Sequence, residues 1–220
     1  MHIELVDCLR CPQPHADSWL VAAVTRFDGR DIVDGELGCP ICRRRYPVRE
    51  GEADFTDRES SASNGVESPV ATTDGEAPRT PDELLLRARA LLDLREEGGI
   101  VLLGGTRGAV ALMLEEIPVM TLLLNRSPGA APYGRFPSAL RTATAPSIAP
   151  GALRGAWLDA STASDATVVA VARALRAGGR LLAPASTPVP PGLRVLARDA
   201  QEWVAESDGR TSAPITLKRR

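Results

Sequence analysis

The sequence predicts an α/β protein made of two unlike parts, a small β-rich piece followed by a doubly wound parallel sheet. Three observations carry this. All four cysteines and both histidines fall within the first 42 residues, among short alternating runs and turns. Residues 56–81 hold no aromatic residue and no Leu or Ile. Beyond them, short apolar runs alternate with stretches of helical period, the pattern of successive βα units.

In residues 1–55, Trp19 to Arg26 and the edge around Tyr46-Pro47-Val48 read as strands, with turns at Asp28-Gly29 and Asp34-Gly35. The Ser, Thr, Pro, Gly and acid content of residues 56–81 reads as a flexible linker, because it cannot offset the entropy of ordering. Pro81-Asp82-Glu83 then opens a helix with acids in its first turn. Leu84, Leu85, Ala88, Leu91 and Leu92 recur along one face of it. Ile100 to Leu103 reads as a buried parallel strand, Ala109 to Glu116 as a helix and Val119 to Leu124 as a second strand. A third strand is expected near Ala139 to Ala143 and a fourth at Gly155 to Asp159. Asp165 to Ala177 reads as a helix closed by Gly178-Gly179, followed by a strand at Arg180 to Ala183. Leu193 to Arg198 and Pro214 to Lys218 are expected to close the sheet as an antiparallel pair. The expected organisation is therefore 1–55, linker 56–81 and α/β domain 82–220.

Composition narrows the function classes. Hydrophobic residues at 44% and charged residues at 25% exclude a wholly disordered chain. No apolar run reaches the roughly 18 residues of a membrane helix, so no membrane role is expected. A net charge of −2 argues against a protein that coats nucleic acid. It divides as −3, −3 and +4 over the three segments, and the +4 gives a nucleic-acid partner only weak support. Met1 to Asp7 has neither a basic n-region nor an apolar h-region, so a cytoplasmic chain with reduced thiols is expected.

Reduced, closely paired cysteines are metal ligands more often than disulfides. Cys39-Pro40-Ile41-Cys42 is a knuckle that turns two thiolates toward one ion, and tetrahedral Zn²⁺ needs two more ligands. Cys8-Leu9-Arg10-Cys11 offers a C-x2-C pair, whereas Cys11 with His15 offers C-x3-H. Cys11, Cys39 and Cys42 are common to both solutions, and the fourth ligand is His15 or Cys8. Prolines follow Cys11 and Cys39 alike, which makes the knuckles equivalent and favours His15.

Leu5-Val6-Asp7-Cys8-Leu9-Arg10-Cys11-Pro12, Gly38-Cys39-Pro40-Ile41-Cys42 and Tyr46-Pro47-Val48-Arg49-Glu50-Gly51 together resemble the small zinc ribbon that activates transfer-RNA and release-factor methyltransferases. The resemblance covers about the first 55 residues and departs at Pro14, where the second cysteine of the first knuckle should stand. It implies a supporting, non-catalytic role exerted on a protein partner or on the chain's own α/β domain.

Residues 100–116 resemble the first motif of class I S-adenosylmethionine-dependent methyltransferases, with Gly104 and Gly108 at the outer glycines, Gly105 between them and Thr106 at the middle one. The stretch Ala172 to Leu182 follows that family's R-x-L-x-x-G-G-x-[LF] segment. The resemblance implies an S-adenosylmethionine site at Gly104, Gly105 and Gly108, with Asn125 where an acid ends the second strand and Asp159 closing the fourth. Leu103, Thr106 and Asn125 depart from the pattern, and no Asp-Pro-Pro-Tyr-type loop is present. These departures favour a degenerate, non-catalytic domain with no catalytic residue, acting through protein contacts. The alternative is an active methyltransferase with a fused activator ribbon.

Overall fold

The computed structural model describes residues 1–56, 80–94, 97–114, 117–126 and 138–209. The expected linker at 56–81 and the expected strand at Pro214 to Lys218 lie largely or wholly outside them.

The chain begins with a 3-10 turn, Ile3–Cys8, and an antiparallel meander of four strands: β1 (Val21–Asp28), β2 (Asp31–Gly38), β3 (Arg45–Arg49) and β4 (Glu52–Asp54). Asp28-Gly29 turns as its sequence predicts, with Gly29 at φ 59°. Asp34-Gly35 does not: it lies inside β2, where Gly35 pairs with Val24 on one side and Val48 on the other. A Cβ there would stand 2.6 Å from the Ala23 carbonyl oxygen, so glycine admits the close approach of a β1 that bulges beyond Val24.

Helix α1 (Pro81–Leu91) starts with a capping box, in which the Thr80 hydroxyl accepts from Glu83 N–H and the Glu83 carboxylate accepts from Thr80 N–H. Strand β5 (Ile100–Gly104) leads into a 3-10 turn, Gly105–Val110, and only then into a short helix α2 (Ala111–Leu114). The helix expected from Ala109 thus begins as 3-10 geometry. Strands β6 (Met120–Leu124), β7 (Ala139–Arg141) and β8 (Leu153–Trp157) come next.

Helix α3 (Asp165–Ala174), capped by the Ser164 hydroxyl on Thr167 N–H, is shorter than its expected span to Ala177. Buried Leu175 already pairs with Leu153, which ends the helix and opens β9 (Leu175–Pro184). Among the described residues, β10 (Leu193–Arg198) forms a hairpin with β11 (Glu202–Ser207), a strand the sequence did not indicate. Asp199 makes the reversal by accepting from the N–H groups of Gln201 and Glu202.

All eleven strands join one sheet, in the order β1-β2-β3-β4-β7-β6-β5-β8-β9-β11-β10. Its parallel centre, β7-β6-β5-β8-β9, has the doubly wound 3-2-1-4-5 order. The strand order reverses between β5 and β8, and ligands of such folds bind outside the carboxyl ends of the strands at that point.

The ribbon is continuous with this sheet. Strand β4 runs parallel to β7, with Glu52, Ala53 and Asp54 opposite Ala139, Leu140 and Arg141. Alternation along the strands then sorts the core into two faces. Val101, Leu103, Leu123, Trp157 and Leu182 lie beneath α1 and α2. Leu102, Leu122, Leu140, Ala156 and Leu181 lie on the other face with α3, and there the ribbon residues Met1, Leu5, Leu9, Leu37 and Phe55 belong to the same cluster.

Leu140 is therefore a shared core residue. Leu140→Ala is expected to destabilise the whole chain by about 2–5 kcal/mol, measured by denaturant unfolding, because it leaves a cavity between the two parts.

Candidate metal centre and glycine-rich loop

Cys11 comes directly after the isolated bridge of Arg10 to Trp19, and its N–H donates to the Ser18 carbonyl. Cys39 and Cys42 flank the turn after β2, closed by Arg43 N–H on the Cys39 carbonyl and by Cys39 N–H on the Arg44 carbonyl. These turns and His15 bring four ligand atoms within 4.8 Å of one another: those of Cys11, His15, Cys39 and Cys42. Cys11 Sγ lies 3.7 Å from Cys42 Sγ. His15 Nε2 lies 3.2 Å from Cys11 Sγ and 3.4 Å from Cys39 Sγ. Two thiolates each about 2.3 Å from a tetrahedral Zn²⁺ stand about 3.8 Å apart, so the sulfur spacing fits one ion. It is far too long for a disulfide, and all four cysteines are free.

The thiols of Cys39 and Cys11 are shifted in opposite directions, Cys11 being pushed up to about 11 by burial. Burial raises the Cys39 thiol, but the N–H groups of Cys42 and Ile41 outweigh it and hold the group at about 6. His15 Nδ1 sits 2.6 Å from the Ala16 carbonyl, to which it donates in the tautomer that turns the Nε2 lone pair toward the sulfurs. The Tyr46 hydroxyl lies 3.4 Å from Cys11 Sγ, a contact that the sequence did not flag as part of the site. Cys8 stands apart from the cluster. Its thiol is in the core, donates to the Leu5 carbonyl at 2.9 Å and is pushed up to about 11 by burial.

The glycine-rich loop lies where the strand order reverses. Gly104 ends β5, and Gly105 and Gly108 belong to the adjoining 3-10 turn. Asp159 comes just after β8 and points at this loop. Its Oδ2 accepts from Thr106 N–H at 2.7 Å and Thr106 Oγ1 at 2.8 Å. Its Oδ1 accepts from the N–H and hydroxyl of both Ser161 and Thr162. Gly105, at φ 56°, would carry a Cβ only 2.3–2.6 Å from the Asp159 carboxyl group, so only glycine admits this contact.

Asn125 ends β6 at φ 47°, and its amide exchanges two hydrogen bonds with the Thr142 backbone, at 3.0 and 2.8 Å. The side chains of Asn125 and Asp159 are thus both engaged within the chain. No sequence pattern pointed to Thr142, or to Glu202, whose buried carboxylate accepts from Trp157 Nε1 and pairs with Arg87 and Arg107.

Burial alone would raise the Asp159 carboxyl. The Thr106 N–H and the Ser161, Thr106 and Thr162 hydroxyls outweigh it and hold the group below the usual carboxylate range. Its contribution to stability is therefore full above the unfolded aspartate value of about 3.9, and is lost as pH falls through the lower folded value. Asp159→Asn is expected to cost about 1–3 kcal/mol at neutral pH and to flatten the acid limb of a stability-versus-pH profile below about pH 4.

Three solved structures illustrate the likeness of the α/β part. The antibiotic-resistance methyltransferase Kmr is 14% identical, covering 62% of this chain and 96% of its own, with a TM-score of 0.37. A TehB-like S-adenosylmethionine-dependent methyltransferase from Corynebacterium glutamicum is 15% identical over 60% of this chain and 90% of its own, at 0.38. An S-adenosyl-L-methionine methyltransferase from Silicibacter pomeroyi is 10% identical over 60% and 99%, also at 0.38. No curated protein sequence matches the chain. The family of Trm112p-like proteins matches residues 2–51. The N-terminal part is thus similar to Trm112p-like proteins over residues 2–51, and it lies on the edge of a doubly wound α/β sheet.

Proposed function

We propose that the ribbon serves its own α/β domain, and that the chain acts through protein contacts and not by methyl transfer. The pairing of β4 with β7 carries this reading, because it places the ribbon as edge strand and core cover of the sheet beside it. The resemblance to methyltransferase-activating ribbons implies a partner domain, and the chain's own α/β domain would fill that position.

Cys11, His15, Cys39 and Cys42 would hold a structural zinc. Bound to four protein ligands, the ion supplies cross-linking and leaves no open position for a substrate. Elemental analysis is expected to find one zinc per chain. His15→Ala should release it, whereas Cys8→Ser should retain it at some cost in stability; zinc loss from the Cys8 variant alone would reverse the ligand assignment.

The non-catalytic reading is supported by the bonds that Asn125 and Asp159 make inside the chain. It is supported also by charge, since arginines of the +4 segment turn inward: Arg87 and Arg107 to Glu202, Arg154 to the carbonyls of Gly98 and Asp93, and Arg180 to Glu206. Among the described residues, no helix is long and apolar enough to cross a membrane.

The second reading, an active S-adenosylmethionine-dependent methyltransferase, is favoured by the place of Gly104, Gly105 and Gly108, at the carboxyl end of the first parallel strand. Calorimetric titration of the zinc-loaded protein with S-adenosylmethionine separates the two. No heat at millimolar cofactor is expected; micromolar binding would establish the second reading.

A further inference from the structure

On the reading that the crevice between β5 and β8 is closed, specific contacts must hold it shut. Gly105–Gly108 is a tetrapeptide with glycine at each end, the kind of position that absorbs a hinge rotation. Val110, 1% exposed, anchors the far end of the turn in the core. The turn is a six-residue 3-10 segment, longer than the three or four residues such geometry usually sustains, and its cap Gly104 makes no side-chain hydrogen bond.

Two carboxylates grip the tetrapeptide at adjacent residues. Thr106 donates through both N–H and hydroxyl to Asp159 Oδ2, at the end of β8. Arg107 donates from Nη2 to Glu202 Oε1 at 3.0 Å, at the start of β11, and its Cζ lies 4.8 Å from the Trp157 ring centroid. Glu202 is held in place independently, by Trp157 Nε1 at 2.8 Å and by Arg87 Nε at 3.0 Å.

We propose that Gly105–Gly108 is a lid over the carboxyl ends of β5 and β8, latched by Asp159 at Thr106 and by Glu202 at Arg107, which opens without unfolding either strand. Asp159 and Glu202 are positioning residues in this device. Opening frees the Thr106 N–H and hydroxyl and the Asp159 carboxylate to face the crevice together.

Hydrogen exchange on the zinc-loaded full chain, followed amide by amide with NMR, tests this. In the wild type, the Thr106 amide is expected to exchange through a local opening whose rate is independent of low denaturant, while Leu102 in β5 and Ala156 in β8 exchange through a denaturant-dependent one. Asp159→Asn keeps an acceptor for Ser161 and Thr162 but turns an amide group against Thr106 N–H. It should accelerate Thr106 exchange about tenfold with its independence of low denaturant intact, and speed Leu102 and Ala156 by no more than the same factor with their denaturant dependence intact. Arg107→Met, which leaves Glu202 its bonds to Trp157 and Arg87, should likewise accelerate the Thr106 amide while its exchange stays independent of low denaturant.

A Thr106 exchange rate that rises with low denaturant as that of Leu102 does, or no acceleration of Thr106 in either variant, would overturn the proposal by making the loop part of the rigid core. If a variant fails to fold, the wild-type denaturant series decides alone: a Thr106 slope equal to that of Leu102 rejects the lid. The readout needs no cofactor. Binding of S-adenosylmethionine by the wild type would therefore defeat the non-catalytic reading and leave the lid standing, and uniform exchange would do the reverse.

Discussion

The fold depends on three residues of parallel pairing between β4 and β7. A three-residue ladder contributes little by itself, and the surroundings reinforce it. Ala139 N–H donates to the Gly51 carbonyl and Phe55 N–H to the Arg141 carbonyl, extending the ladder at both ends. The Glu52 carboxylate, 11% exposed, pairs with Arg126 beyond β6 at 2.7 Å and with Arg141 of β7 at 2.6 Å. A partly buried carboxylate with two guanidinium partners fixes the register of the seam, because removing the arginines within the folded chain would leave it desolvated and unpaired. Beneath the ladder, Leu140 shares a core with Leu5, Leu9 and Phe55. Ribbon and sheet are joined by backbone, charge and packing at one seam.

This seam bears on how a short ribbon keeps its shape. A piece of about 55 residues buries too little apolar surface to be secure alone, and a metal or a partner surface must add to it. Here the Cys/His cluster is the place for the first, and the α/β core supplies the second. The Cys11, His15, Cys39 and Cys42 cluster closes the turns beyond β1 to β3, and the α/β core receives the side chains at the other end. In return, the ribbon covers apolar surface on the α3 face of the sheet. The same economy of internal contacts marks the crevice, where the Asp159 carboxylate is bound by the chain's own donors.

Much of the architecture was legible in the sequence, for reasons that differ by element. The parallel strands were visible because burial on both faces leaves continuous apolar runs, as in Ile100 to Leu103. The grouping of Cys11, Cys39 and Cys42 could be anticipated from their spacing, whereas the choice between His15 and Cys8 beside them could not, because it depends on which side chain the fold turns into the core. The turn expected at Asp34-Gly35 failed because glycine there serves a close cross-strand approach, which only the paired strands reveal. Strand β11 was missed because Glu202 and Glu206 interrupt its pattern, and their partners, Arg87, Arg107, Arg180 and Arg194, come from distant or neighbouring strands and helices. The merging of ribbon and sheet left no local signature at all. Nothing in Glu52-Ala53-Asp54 distinguishes an edge that pairs with solvent from one that pairs with a strand 87 positions later, as Ala53 does with Leu140.

The central claim is that ribbon, metal centre and sheet form one cooperative unit. It is tested most directly by a guanidinium titration of the zinc-loaded chain in which zinc release to a chromogenic chelator and loss of far-ultraviolet circular dichroism are read on the same samples. The account predicts coincident midpoints for the two signals. Zinc released at a clearly lower denaturant concentration, with the sheet signal intact and unfolding later in its own transition, would contradict it.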